Sequence, residues 1–167
     1  VSAVVPASGA MPARLLFSDV DGTLLGADGR YAMTAAELAP LLRTLDIVLA
    51  SSRTVLELAR VQHDLGIEGP VVAENGAVIA WPVTATTAAL ATTGVREVAD
   101  GRPWQVVRLG APAAILREAV RATAQRLGTA YIDQQEVDPL LERRGSMLLR
   151  PALDRDAGTL APLAAQL

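Results

Sequence analysis

The chain has 167 residues, enough for one domain of ordinary size or two small ones and for a sizeable buried core. It is 51% apolar but only 3% aromatic, carries a formal charge of −3 with a pI near 5.1, and contains no cysteine. That composition excludes disulfides and thiolate metal centres and argues against a nucleic-acid partner, whose phosphates demand a basic face. A soluble α/β protein of the reducing cytoplasm is the expectation, its core packed by Leu, Val, Ala and Ile.

Residues 1–12, VSAVVPASGAMP, lack a basic start and a long apolar run, so a frayed N-terminus is expected rather than a cleaved signal; Met11 is an alternative start site. No run in the chain approaches the length that spans a membrane. Leu15, Leu16 and Phe17 form an apolar run that stops at Asp19 and Asp21. The pattern suits a strand buried on both faces of a parallel sheet, with the two acids at its carboxyl end, where open α/β sheets place ligands. Carboxylates at i and i+2 repel unless a cation lies between them, and hard oxygen ligands select Mg²⁺. A carboxylate beside an electrophilic phosphorus can attack it, and a second carboxylate can protonate the departing alcohol and later activate water. Gly22 lets the backbone turn tightly and the Thr23 hydroxyl can orient a neighbour; the competing reading of Asp-Val-Asp-Gly is a solvated turn.

Thr34 and Glu37 form a capping box that opens a helix with Leu38, Leu41, Leu42 and Leu45 on one face, bent or shifted by Pro40. Asp46–Ala50, DIVLA, is a second buried strand, ending in Ser51, Ser52, Arg53 and Thr54. Thr54 and Glu57 repeat the capping box and begin a helix carrying Val55, Leu58, Val61 and Leu65, which stops at Gly66. A third strand, Pro70–Ala73, runs into Glu74, Asn75 and Gly76, completing a βαβαβ half of a doubly wound sheet. Ser51 is either a phosphate-binding hydroxyl or a helix cap, and Thr54 already caps the helix. Glu74-Asn75-Gly76 is either part of a site or a turn. His63, the only histidine, is read as a solvated helix residue, since a lone His is a poor metal site.

SDVDGTLL resembles the first signature of the haloacid dehalogenase superfamily, DxDGT(L/V). The resemblance implies Asp19 as nucleophile, Asp21 as general acid/base, and Mg²⁺ held by the Asp19 carboxylate and the Asp21 backbone carbonyl. ASSRT stands where the superfamily's second signature is expected. The segment from Asp46 to Trp81 is similar to the subgroup of mannosyl-3-phosphoglycerate phosphatases with their Cof-type and sucrose-phosphatase relatives, matching at Ser52, Arg53, Thr54, Glu74, Asn75, Gly76 and Ala77. Phosphate or substrate binding is thereby expected of Gly22, Thr23, Ser51, Ser52, Arg53 and Asn75.

From Pro82 the character changes. Val83–Gly94 is rich in Thr and Ala and suits a linker. Beyond it a strand over Trp104–Leu109, a helix from Ala113 to Leu127 opened by Pro112 and ended by Gly128, and a strand over Ala130–Ile132 are expected. A short helix over Asp138–Arg143, a strand over Ser146–Arg150 and a last helix over Gly158–Leu167 complete the alternation. The expected organisation is a partial doubly wound parallel sheet over 1–82 followed by an inserted α/β cap over 83–167. Val106–Pro112 and Glu142–Pro151 resemble cap segments of the mannosyl-3-phosphoglycerate phosphatases, with Arg143 and Ser146 as the matched substrate contacts and Arg144, Gly145 and Met147 departing from the pattern. Arg143 is chemically suited to a phosphoglycerate carboxylate, and equally to an exposed, solvated face.

The superfamily also uses a lysine and a Gly-Asp-x-x-x-Asp run after the cap. All fifteen basic residues here are arginine, and Asp154 and Asp156 lack the Gly-Asp spacing. In the doubly wound order the first strand is central, so Leu15–Phe17 is left as an unpaired apolar edge. Truncation within the cap is the reading taken, because 160–167 ends mid-helix without a C-cap; completion of the sheet by another chain, including a second copy, is the alternative. The function expected is a Mg²⁺-dependent phosphomonoesterase acting on a small sugar phosphate or glycosyl-3-phosphoglycerate through an aspartyl-phosphate. The alternative is a catalytically silent binding or assembly module.

Overall fold

The computed structural model describes residues 14–84, 94–128, 131–133, 143 and 149–151. The expectations for 1–13, 85–93, the helix before Arg143 and the last helix lie outside the described residues, as do Ser146, Asp154 and Asp156.

The two capping boxes form as the sequence dictates. Thr34 opens α1 (Ala35–Leu42) and Thr54 opens α2 (Val55–Leu65), each hydroxyl accepting the amide of the glutamate three residues on. Gly66 ends α2 in the left-handed conformation, and Val55, Leu58, Val61 and Leu65 are buried as the apolar stripe requires. These helices cross between three parallel strands: β1 (Leu15–Ser18), β2 (Asp46–Ala50) and β3 (Val71–Ala73). Leu16 lies opposite Ile47 and Leu49 opposite Val71. The βαβαβ reading is therefore realised, and it brings the carboxyl ends of all three strands to one edge of the sheet.

The sheet does not stop there. After a single turn at Glu74–Gly76, β4 (Val78–Pro82) returns antiparallel to β3, and β5 (Val95–Ala99) and β6 (Arg102–Arg108) extend it in the order β1-β2-β3-β4-β6-β5. The sheet is thus mixed: its first two pairings are parallel and the remaining three antiparallel. Residue 82, where the sequence suggested that core gives way to cap, is the end of β4, and β5 and β6 beyond it stay on the same sheet. Asp100 and Gly101, at φ of 50° and 69°, form the two-residue turn between them, a geometry that hairpin twist favours and that most side chains avoid. One apolar cluster runs through both halves, from Val20, Leu38 and Leu49 to Ala99, Trp104 and Val106.

Beyond the sheet, α3 (Ala113–Leu127) follows Pro112 and ends at Gly128 in the left-handed region. β7 (Tyr131–Asp133) pairs antiparallel with β8 (Leu149–Pro151) in a separate two-stranded sheet, one to three residues from the expected positions.

One expectation is corrected. β1 is not buried on both faces: Leu15, Leu16 and Phe17 are 58%, 45% and 62% exposed. The strand lies at the sheet edge, paired among the described residues with β2 alone, so apolar side chains that suit an interior strand stand in solvent. An apolar run specifies a strand; what covers it is supplied by neighbours.

Candidate functional site

Past β1 the chain closes a tight loop around one buried side chain. Val20 is fully buried, and its carbonyl accepts the amides of Thr23, Leu24 and Leu25 at 3.2, 2.9 and 2.8 Å. Gly22 sits at φ 77°, with no neighbour where a Cβ would project, so conformation rather than space requires the glycine. Its amide donates to the Leu25 carbonyl at 2.7 Å. Asp19 and Asp21, flanking the buried valine, both face solvent. The Val20 amide donates to Asp19 Oδ1 at 2.7 Å, which fixes that carboxylate. No donor among the described residues reaches the Asp21 carbonyl.

The second strand's end packs against the third's. The Ser51 carbonyl accepts the Asn75 amide at 3.1 Å, and the Arg53 carbonyl accepts the Glu74 amide at 2.9 Å. To make this turn, Glu74 and Asn75 both adopt positive φ, 54° and 58°, a strained backbone held by its surroundings beside the loop. Ser51 is buried, and its hydroxyl accepts the Arg53 amide at 3.4 Å. It is therefore not the cap of α2; Thr54 holds that place.

Arg53 reaches back across the site. Its Nε and Nη2 donate to Asp21 Oδ2 and Oδ1 at 3.0 and 2.8 Å, a two-pronged fork, and its Nη1 lies 3.5 Å from Glu57 Oε1. The fork holds the Asp21 carboxyl below the usual carboxylate range, against a smaller opposing effect of burial, and raises the Arg53 guanidinium in turn. Nearby, Tyr31 donates its hydroxyl to Asp64 Oδ2 at 2.7 Å, tying the loop after Gly26 to α2.

Burial first, and then the Asp64 carboxylate, push the Tyr31 phenol up to about 12. The folded state thus holds that proton more tightly than the unfolded chain, where tyrosine titrates near 10. The stability this group contributes is whole below about pH 10 and is lost as pH rises towards 12. Tyr31→Phe is expected to remove that part of the decline when urea unfolding is followed from pH 9 to 12. An unchanged slope in the variant would show that the phenol is not its source.

Asp19, Asp21, Ala50, Ser51, Ser52, Val72, Asn75 and Gly76 line one open cavity of about 550 Å³ at the carboxyl ends of β1, β2 and β3. Of the residues singled out from the sequence, the structure gathers Asp19, Asp21, Ser51, Ser52 and Asn75 here. Arg53 reaches the cavity through Asp21. Gly22 shapes the loop, and Thr23 is exposed beside it without lining the cavity. Arg143, read from sequence as a substrate contact or equally as part of a solvated face, is buried and does not line the cavity. His63 is exposed, as expected, with Nδ1 4.0 Å from Asp100.

The donor set fits a hard cation: one free carboxylate oxygen on Asp19 and the unpaired Asp21 carbonyl are oxygen ligands, and Mg²⁺ is commonly held by one or two protein oxygens with water and phosphate supplying the rest. No cluster of three or more His, Cys, Asp or Glu groups suited to a metal occurs among the described residues. Among those residues, too, no helix is long and apolar enough to cross a membrane. What sequence reasoning missed is the Asp21–Arg53 fork with its Glu57 support, since the partners lie 32 residues apart and only the crossover brings them together.

Residues 16–93 match the family profile of the haloacid dehalogenase-like hydrolases. Among solved structures, a Thermoplasma acidophilum protein aligns at a TM-score of 0.55 and 18% identity, over 85% of this chain and 52% of its own. A haloacid dehalogenase-like hydrolase from Bacteroides thetaiotaomicron aligns at 0.50 and 16% identity, over 92% of this chain and 62% of its own. A hypothetical protein from Geobacillus kaustophilus aligns at 0.47 and 18%, over 91% and 49%. At these identities the likeness to the first two is one of fold, and the chain spans about half the length of the structures it matches.

Proposed function

We propose that this chain, whose residues 16–93 match the haloacid dehalogenase-like hydrolases, is a Mg²⁺-dependent phosphomonoesterase acting through an aspartyl-phosphate. The supporting observation is the convergence of Asp19, Asp21, Ser51, Ser52 and Asn75 on one cavity at the carboxyl ends of parallel strands. In this reading Asp19 attacks the phosphorus, the bond from phosphorus to the ester oxygen breaks, and Asp21, which has to take up a proton against the pull of the Arg53 fork as substrate binds, passes it to that oxygen. Asp21 then takes a proton from water, whose oxygen attacks the phosphorus and releases inorganic phosphate, restoring Asp19. Ser51, Ser52 and Asn75 supply hydroxyl and amide contacts to the phosphate oxygens. The Asp19 carboxylate and Asp21 carbonyl would hold Mg²⁺, which supplies charge neutralisation between nucleophile and phosphate.

The substrate class proposed is a sugar phosphate or glycosyl-3-phosphoglycerate, as in the mannosyl-3-phosphoglycerate phosphatases. Selection of its organic half falls to a cap, which we place after β6 because β5 and β6 extend the core sheet. Arg143 and Ser146 are its candidate contacts. The exposed β1 edge is where a further strand would pair, from this polypeptide or a second copy.

A second reading, a phosphate-binding module without turnover, is favoured by two observations: no third carboxylate joins Asp19 and Asp21 among the described residues, and the sequence holds no lysine. Phosphate release from a panel of sugar phosphates, phosphoglycerate glycosides and p-nitrophenyl phosphate, with Mg²⁺ and with a chelator, separates them. Release that requires Mg²⁺ supports the phosphatase. Binding of inorganic phosphate without release supports the module.

A further inference from the structure

The Arg53 fork has a consequence for how the site would work, and it rests on the phosphatase reading above. Arginine offers a rigid, planar set of donors, and here they are committed on two sides: Nε and Nη2 to Asp21, and Nη1 towards Glu57 at 3.5 Å. Glu57 is itself held, because its Oε2 accepts the Thr54 amide and hydroxyl at 2.8 and 2.9 Å. The Arg53 backbone is held too, its amide on Ser51 Oγ and its carbonyl under the Glu74 amide. A continuous line of contacts therefore runs from the first turn of α2 through Glu57 and Arg53 to Asp21. Along it exposure rises, with the side chains of Glu57 and Arg53 22% and 26% exposed and that of Asp21 52%. A half-buried arm holds an open carboxylate.

We propose that Arg53 is a positioning residue: its fork aims the Asp21 carboxylate at the oxygen that leaves phosphorus, and Glu57 keeps the guanidinium from turning to the substrate phosphate instead. An arginine that turned its fork to phosphate would have to leave Asp21. The role therefore predicts a loss confined to states in which Asp21 meets an oxygen across phosphorus, and little loss for phosphate alone.

The test is titration calorimetry of the 167-residue chain in Mg²⁺, with orthovanadate as the five-coordinate mimic and inorganic phosphate as the ground-state ligand. Arg53→Ala should weaken vanadate about tenfold to a hundredfold, the range for a hydrogen bond to a charged group, and phosphate by less than about threefold. Arg53→Lys, which keeps the charge and loses the fork, should follow Arg53→Ala for vanadate. Glu57→Gln, which keeps the capping geometry, should show a smaller loss of the same kind. Thermal melts check folding, and if Arg53→Ala does not fold, the other two variants carry the test. Equal losses for both ligands would make Arg53 a phosphate ligand and overturn the proposal; no loss for either would reduce the fork to a surface ion pair. Wild-type protein that binds neither ligand overturns the phosphatase reading and this role with it. Wild-type binding that Asp19→Asn abolishes and the Arg53 variants leave intact overturns this role alone.

Discussion

Asp19→Asn is expected to lower Mg²⁺-dependent phosphate release by on the order of 10⁴-fold or more, the scale on which loss of a covalent nucleophile is felt. That is about 5.4 kcal/mol of transition-state stabilisation. The amide is nearly isosteric, and its oxygen can still accept the Val20 amide that now reaches Asp19 Oδ1 at 2.7 Å. Asp19 is exposed and its loop is organised by the Val20 carbonyl, so the fold should hardly notice the change. A thermal melt within about 0.5 kcal/mol of wild type is expected. Activity and stability therefore separate, which distinguishes a lost nucleophile from a damaged loop. Phosphate release that survives the substitution in folded protein would remove Asp19 from the role of nucleophile. Alkali-labile, hydroxylamine-sensitive phosphate on the wild-type chain, absent from the variant, is the positive counterpart.

The parts of this protein legible in sequence are those set by local rules. Thr34 with Glu37 and Thr54 with Glu57 announce helix starts that the backbone adopts, and DIVLA is a strand from its first residue to its last. Pro112 and Gly128 bracket α3 at the positions where their fixed and permissive dihedrals belong. The Asp-Gly dipeptide between VREVA and RPWQVVR is an equally local signal of a hairpin, and it was available: β5 could have been found from Asp100-Gly101. The Thr- and Ala-rich stretch before it reads as a linker, which is a signal of composition and not of pairing. What no local rule reaches is pairing across the fold. Tyr31 meets Asp64 and Asp21 meets Arg53 over 33 and 32 residues, and each contact exists because a parallel crossover brings two loops to one edge. Burial follows the same logic. Leu15, Leu16 and Phe17 read as interior residues and stand exposed, while Arg143, which reads equally well as a surface residue, is buried. In each case the neighbour decides.

Trp104→Ala is expected to cost about 3–5 kcal/mol of stability, a large share of the roughly 5–15 kcal/mol that holds a domain of this size together. The sequence has only two tryptophans and one phenylalanine, so a core otherwise made of aliphatic side chains depends on Trp104 for its largest buried volume. The side chain is fully buried, and its indole Nε1 donates to the Ala99 carbonyl at 3.2 Å. Alanine leaves a cavity and removes that donor; Trp104→Phe fills most of the volume and loses mainly the hydrogen bond, so about 1 kcal/mol is expected. Urea unfolding followed by circular dichroism measures both, with Trp81 fluorescence as a second probe. Because β6 pairs with β4 as well as β5, the loss should appear as one shifted transition reported alike by both probes. Two separated transitions would instead mean that β5 and β6 fold as a unit of their own, and would return the boundary between core and cap to residue 82. A single transition keeps all six strands in one cooperative sheet, the platform on which β1, β2 and β3 carry the candidate site.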